Sequence, residues 1–307
     1  MTPKERVIAA LELRQPDDIV PTFELEFQLT DEYLGKNFRS YNNLAGKELE
    51  SAIKYNAELY VEIAEKLDYS ILRAGDIRLM KEWVKMGVDK TYLICGEADG
   101  TMGIPNGENM VEAARRLFEE PDAVKRGLEQ SANNAIENGK RQIDAGAECL
   151  TMCADYCFNS GPFLSPPMFA EFVTPYLHRI IEAHKTNGAY TIKHTDGDIM
   201  PILDQLVYCR PNALHSLDPQ AGVDIAEIKR LIGDKVCLAG NVNCGLMQTG
   251  TDEEVRQNII SSIIHGKPGG AYIFCTSNVA FKGMPLERYL LMLELRQQYG
   301  RYDVDSI

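Results

Sequence analysis

The chain has 307 residues, 45% hydrophobic and 25% charged, with a formal charge of −13 and an isoelectric point near 4.9. That length can bury a large core. So acidic a balance argues against nucleic acid or an anionic membrane surface as the main partner, since both demand positive potential. No apolar run approaches the roughly 20 residues of a membrane span, and the opening MTPKERVIAALELRQPDD reads as a charged amphipathic helix over 3–14 rather than a signal peptide; the expected location is cytoplasmic.

In chain order, VPTFELEF (20–27) and DYSILRA (68–74) read as strands, with a long helix from Asn43 through Leu67 between them. The stretch 89–106, which contains TYLICGEADGTMGIPN, reads as a lid or hairpin. PDAVKRGLEQSANNAIENGKRQIDAG then forms a helix that leads to the run at 148. From there one rhythm repeats: ECLTMCADY (148–156), AYTIKHTD (189–196), NALHSLDP (212–219), KVCLAGNVN (235–243) and AYIFCTSN (271–278) are β-rich runs separated by helical stretches. Ser165 followed by Pro166 opens one of those helices, with Phe169, Phe172, Val173, Tyr176, Leu177 and Ile180 on its apolar face and Gly188 as its stop. Thr251 with Glu254 forms a capping box for another, which Gly266 ends.

Such alternation implies a parallel sheet covered by helices. Counted as seven strands and an eighth, the runs point to an α/β fold of the (β/α)8, TIM-type barrel class, with a doubly wound open sheet as the alternative. No linker rich in Pro, Gly or Ser divides the chain, so one domain is expected over 1–307. The eight cysteines lack the pattern of a disulfide scaffold and are expected as thiols, most of them packed as small hydrophobes.

In such barrels function sits at the C-terminal ends of the strands. Here those ends carry Glu24 and Glu26, Arg73 and Asp76, Asp155 and Tyr156, His194 and Asp196, His215 and Asp218, Asn241 and Asn243, and Cys275 with Asn278. His194 and Asp196 are two positions apart, so on a strand they project to one side. They are either a hydrogen-bonded pair or two ligands of a metal.

KERVIAALELRQPDDIVP, GPFLSPPMFAEFVTPYLHRII, HTDG followed by GNVN, then GGAYIF and PLERYLLMLE together resemble the uroporphyrinogen decarboxylase superfamily over nearly the whole chain. That superfamily holds tetrapyrrole decarboxylases and zinc-dependent methyltransferases that work with corrinoid proteins. The decarboxylases carry an arginine-bearing segment just after the first strand. The corresponding FELEFQLTDEYLG (23–35) holds Glu24, Glu26, Asp31 and Glu32 and no arginine, so a substrate with many carboxylates would meet repulsion there.

The resemblance therefore implies the methyltransferase branch. Its coenzyme M members bind zinc through a His-x-Cys pair and a later cysteine. Here His194 is followed by Asp196 where the first cysteine would stand, and Cys275 lies 275 − 196 = 79 positions on. The expected zinc ligands are His194, Asp196 and Cys275, with Cys237 as the alternative. Glu26, Asp155 and Tyr156 are the expected catalytic groups, and Glu24, Arg73, His215 and Asn241 the expected substrate contacts. A carboxylate in place of a thiolate hardens the ligand set and suits an ether or alcohol leaving group.

No DxHxxG-type segment is present, so the corrinoid, cobalamin, is expected on a partner protein, with a small methylated compound as substrate. The alternatives are a decarboxylase of a tetrapyrrole or another carboxylic acid, and a non-catalytic binder of a tetrapyrrole or corrinoid carrier.

Overall fold

The structure, a computed structural model, describes residues 1–302; the last five positions of the expected 1–307 domain lie outside them. The strands are β1 (Ile71–Arg73), β2 (Leu93–Glu97), β3 (Cys149–Met152), β4 (Cys157–Phe158), β5 (Gly161–Pro162), β6 (Tyr190–Thr195), β7 (Ala213–Ser216), β8 (Cys237–Val242) and β9 (Tyr272–Thr276). β4 and β5 make a small antiparallel hairpin. The other seven form one sheet in chain order, β1-β2-β3-β6-β7-β8-β9, and every pairing in it is parallel. Leu93, Ile94, Cys149, Leu150, Cys237 and Leu238 are all fully buried, as expected of strands covered on both faces.

The sheet is curled. Ser70 N–H, at the entry to β1, donates to Thr22 O at 2.8 Å, and Phe274 N–H in β9 donates to Pro21 O at 2.8 Å. One dipeptide therefore reaches both edge strands, which in a flat seven-stranded sheet would stand on the order of 30 Å apart. Inside the curl Phe23, Ile71, Leu93, Cys95, Cys149, Ile192, Ala213, Cys237, Ala239, Ile273 and Cys275 form one apolar cluster, plugged from below by Val7, Ala10 and Leu11 of the first helix. A second and larger cluster packs the outer face against the helices.

Three elements differ from expectation. Residues 20–27 make only isolated bridges, Thr22 to Phe274 and Phe27 to Ala280, so among the described residues the main sheet has seven regular strands. Pro21 has no N–H to give a ladder, and the Leu25 carbonyl is taken by the Arg73 side chain at 2.7 Å. Within 89–106, Leu93–Glu97 is the parallel strand β2, residues 89 and 90 end the 3-10 turn Val88–Lys90, and the rest is irregular. The first helix is Pro3–Leu11 rather than 3–14, since Leu13 turns to a positive φ of 58°.

The helix opened by Ser165 and Pro166 is two, Pro166–Phe172 and Thr174–Thr186. Pro175, second in the new helix, cannot continue the hydrogen bonds of the old one. The Thr251–Glu254 capping box is present and starts Asp252–Gly266. No helix among the described residues is long and apolar enough to cross a membrane.

Candidate metal-binding site

Strand alternation builds the site. Ile192 belongs to the inner cluster, so His194, two residues on, faces the same interior while Lys193 faces out. On β7, Ala213 puts His215 on that interior in the same way. The β6–β7 register sets His194 directly opposite His215, and their Nδ1 atoms lie 2.8 Å apart. Beyond the end of β6 comes Asp196, and beyond β3 the loop returns Asp155 to it: Asp196 N–H donates to Asp155 Oδ1 at 3.1 Å.

His194 Nε2 lies 3.5 Å from Asp155 Oδ1 and 3.8 Å from Asp196 Oδ1. One donor atom from each of these three residues falls within 4.8 Å of the others. Two ligands about 2.1 Å from a tetrahedral zinc sit roughly 3.4 Å apart, so the spacing fits a divalent cation after a small closure.

The hydrogen bonds decide which nitrogen of each ring is bare. His215 Nε2 is 3.1 Å from the carbonyl oxygen of Thr276, which only accepts, so this nitrogen carries the proton. Burial above all, and then the neighbouring His194, hold the His215 imidazole well below its ordinary pKa, so the ring is neutral and its Nδ1 is an acceptor. His194 Nδ1–H must then donate to it. What remains on His194 is an Nε2 lone pair aimed at two carboxylates, the arrangement of a metal-ligating histidine oriented by a second group. Burial, reinforced by the charges of Lys193 and Arg73, pulls the His194 pKa down to about 3, so a proton on Nε2 does not relieve the repulsion at neutral pH.

Asp196 is under the same strain. Its Oδ2 accepts from the Asn278 amide, while its Oδ1 is buried with no hydrogen-bond partner. Burial first, then the charges of Asp155 and Asp218, push its pKa up to about 7. A bare imidazole nitrogen and an orphaned carboxylate oxygen facing one point are what a bound cation would satisfy.

The other expected site residues are distributed as follows. Cys275 and Cys237 lie wholly buried in the inner apolar cluster, outside the group of Asp155, His194 and Asp196. Glu24 is buried and accepts from Thr276 N–H, from Thr276 Oγ1 at 2.6 Å and from the Tyr289 hydroxyl. Tyr156 is buried with its hydroxyl 2.6 Å from Thr101 Oγ1. Asn241 is spent on Leu217 O and Ser262 Oγ.

Arg73 donates to Leu25 O, Thr151 Oγ1 and Glu97. With exposed Glu26 it lines a cavity of about 530 Å³ between β1 and the helix Gly46–Leu67. Two roles escaped the sequence, which offered Asn278 only as a polar group at the end of a strand run. Asn278 holds Asp196, and Lys193 is fully buried on the outer face, bonded to Asp99 at 3.0 Å and to the carbonyls of Met152 and Ala154. The signal for the second was a lysine inside an otherwise apolar strand.

Comparison with known proteins matches the sequence of this chain to one family. The model of the family described as uroporphyrinogen decarboxylase (URO-D) covers residues 103–299. The uroporphyrinogen decarboxylase of Pseudoalteromonas translucida is 24% identical over 191 residues, 60% of this chain and 48% of that protein. That of Dechloromonas aromatica is 28% identical over 137 residues, 41% and 35% of the two chains. The chain thus spans about half the length, or less, of these curated relatives. Among solved structures, a methyltransferase from Methanosarcina mazei is similar with a TM-score of 0.74 at 16% identity, covering 97% of this chain and 99% of that one; at that identity the likeness is one of fold. With the family model spanning well over half of its residues, the chain belongs to the uroporphyrinogen decarboxylase family.

Proposed function

We propose that the chain is a methyltransferase that moves a methyl group between a small methylated compound and a corrinoid protein, with a divalent cation, zinc first, held by Asp155, His194 and Asp196. The observation that carries this is the His194 Nε2 lone pair facing two carboxylate oxygens, one of them buried and unpartnered. This ligand set takes Asp155 in place of Cys275, whose thiol packs among apolar side chains. The contact of Pro21 and Thr22 with both edge strands is read as closure of a (β/α)8 barrel, whose mouth is the customary place for such chemistry. The methyltransferase neighbour in fold supports the reading.

A bound cation would supply Lewis acidity to the heteroatom that carries the methyl group. The chain's own residues do the rest. His215 keeps His194 in the tautomer with Nε2 bare, Asn278 fixes one oxygen of Asp196 so that the other faces inward, and Asp155 ties its loop to β6 through the Asp196 amide. One imidazole and two carboxylates form a harder set than one with thiolates, which favours an oxygen leaving group, that of an ether or alcohol, over a thiol.

Decarboxylation of a tetrapyrrole is the second reading, favoured by the names of the curated relatives. Against it stands the segment 23–35, with Glu24, Glu26, Asp31 and Glu32 and no arginine, and an Arg73 already bonded to Glu97. Elemental analysis of the purified protein, with methylcobalamin formation from reduced corrinoid and methyl donors followed by absorbance, tests the proposal. Stoichiometric metal that His194→Ala and Asp196→Asn both lose, together with turnover, is expected. Full turnover by metal-free protein, or chelator-indifferent release of carbon dioxide from a tetrapyrrole, removes it.

A further inference from the structure

The cavity of about 530 Å³ beside β1 is built differently from the carboxylate–imidazole site. Aromatic rings make much of its wall. Phe38, from the irregular stretch between two helices, lies against Tyr60 with ring centroids 4.4 Å apart, and Phe27 and Tyr69 meet edge to face at 6.5 Å.

Its charges are unbalanced. Arg73 is the one lysine or arginine in the lining, and its Nε, Nη1 and Nη2 already donate to Thr151, Leu25 O and Glu97. Asp76 is neutralised by Arg78 at 2.7 Å, and that guanidinium also covers the Tyr41 ring at 4.6 Å. Glu26 and Asp31 also line the cavity, and neither has a lysine or arginine partner among the described ion pairs; Glu26 has only the Gln28 amide, at 2.9 Å.

An anion would find two uncompensated carboxylates and a guanidinium already engaged. A neutral ligand would leave those carboxylates without a counter-charge. From the aromatic walls and the two free carboxylates we infer that this cavity binds a small organic cation, an ammonium whose positive charge is spread over alkyl groups. Ring faces attract such a cation through their quadrupole, and its alkyl surface fills apolar space that a hydrated metal ion or lysine head would not. The inference concerns only what the cavity holds and stands whether or not the chain transfers methyl groups.

The protein carries its own reporter. Trp83, the single tryptophan, is fully buried with its ring edge-on to Tyr60 at 5.5 Å. The test titrates the whole chain with choline and with 3,3-dimethylbutan-1-ol, the same shape with carbon in place of the charged nitrogen, following Trp83 fluorescence and calorimetry. Choline is expected to bind at least about tenfold tighter than the neutral isostere, and less tightly as salt is raised. Glu26→Gln and Phe38→Ala, both at exposed positions, are each expected to weaken choline about tenfold while leaving circular dichroism unchanged. Equal affinity for the two probes, choline binding that neither variant alters, or no binding of choline at about 50 mM would each overturn the inference.

Discussion

His194 and His215 stand side by side on neighbouring parallel strands with their Nδ1 atoms 2.8 Å apart, and the Thr276 carbonyl 3.1 Å from His215 Nε2 fixes the direction of the bond between them. His215 thus sets the tautomer of its neighbour without facing the carboxylates itself.

Replacing His215 by Phe keeps a ring of similar breadth and removes the acceptor for His194 Nδ1–H. The freed imidazole can then rotate or change tautomer, and metal affinity should fall about 10–100-fold, as for other lost partners of ligating histidines. Competition with a chromophoric chelator measures this. Unchanged affinity in a folded variant would show that His194 needs no such orientation.

The elements and the site differ in how far the residues alone disclose them. The centres of KVCLAGNVN and AYIFCTSN, VCLAG and AYIFC, are apolar because helices cover one face of the sheet and the interior of its curl the other, so strands β8 and β9 declare themselves. The same alternation shows that His194 and Cys275 both point inward. It does not show height along the curl of the sheet, which depends on the stagger between strands and so on pairings remote in sequence. Cys275 packs into the inner apolar cluster, whereas Asp155 reaches His194 because a loop after β3 folds back to bond the Asp196 amide. No spacing encodes that return. The reading of 20–27 as a strand passes over Pro21, which has no N–H to give a ladder.

Lys193 is completely buried, and its ammonium serves Asp99, two carbonyls and the face of Tyr156 at 4.1 Å. Lys193→Met fills the space and strands Asp99, whose side chain is only 11% exposed. A buried carboxylate left without its partner costs about 3–5 kcal/mol, so chemical denaturation should show a loss of that order. Adding Asp99→Asn should return a substantial part of it, since the uncompensated charge, rather than lost packing, carries most of the penalty. A double variant no more stable than Lys193→Met would refute that account.

Glu24 makes stability depend on pH. Burial pushes its pKa from an ordinary 4.5 up to about 8, against the bonds from Thr276 and Tyr289 that favour the ionised form. The folded protein therefore holds a proton that the unfolded chain releases between these values. Stability from this group is fully present below about pH 4.5 and is lost as pH rises toward 8, at no more than about 1.4 kcal/mol per pH unit. Glu24→Gln mimics the protonated acid and cannot ionise. The wild type should lose stability relative to this variant as pH climbs from 5 to 8, and parallel curves would mean that Glu24 is ionised in the folded core.

Cys275 separates the two ligand sets most sharply. Its thiol is wholly buried beside Ile273 and Cys237 in the inner cluster, and burial above all, then the neighbouring Glu24, drives its pKa well above the ordinary thiol value. A metal ligand has to be a thiolate, and this surrounding opposes one. Cys275→Ala should therefore keep its metal in full and lose only about 1 kcal/mol of stability for a small cavity, whereas Asp155→Asn should lower metal affinity while leaving the melting temperature close to wild type, since its side chain is 48% exposed. Were the alanine variant to fold normally and purify without metal, the thiol would belong in the coordination sphere and the site would have to close around β9 when the ion enters.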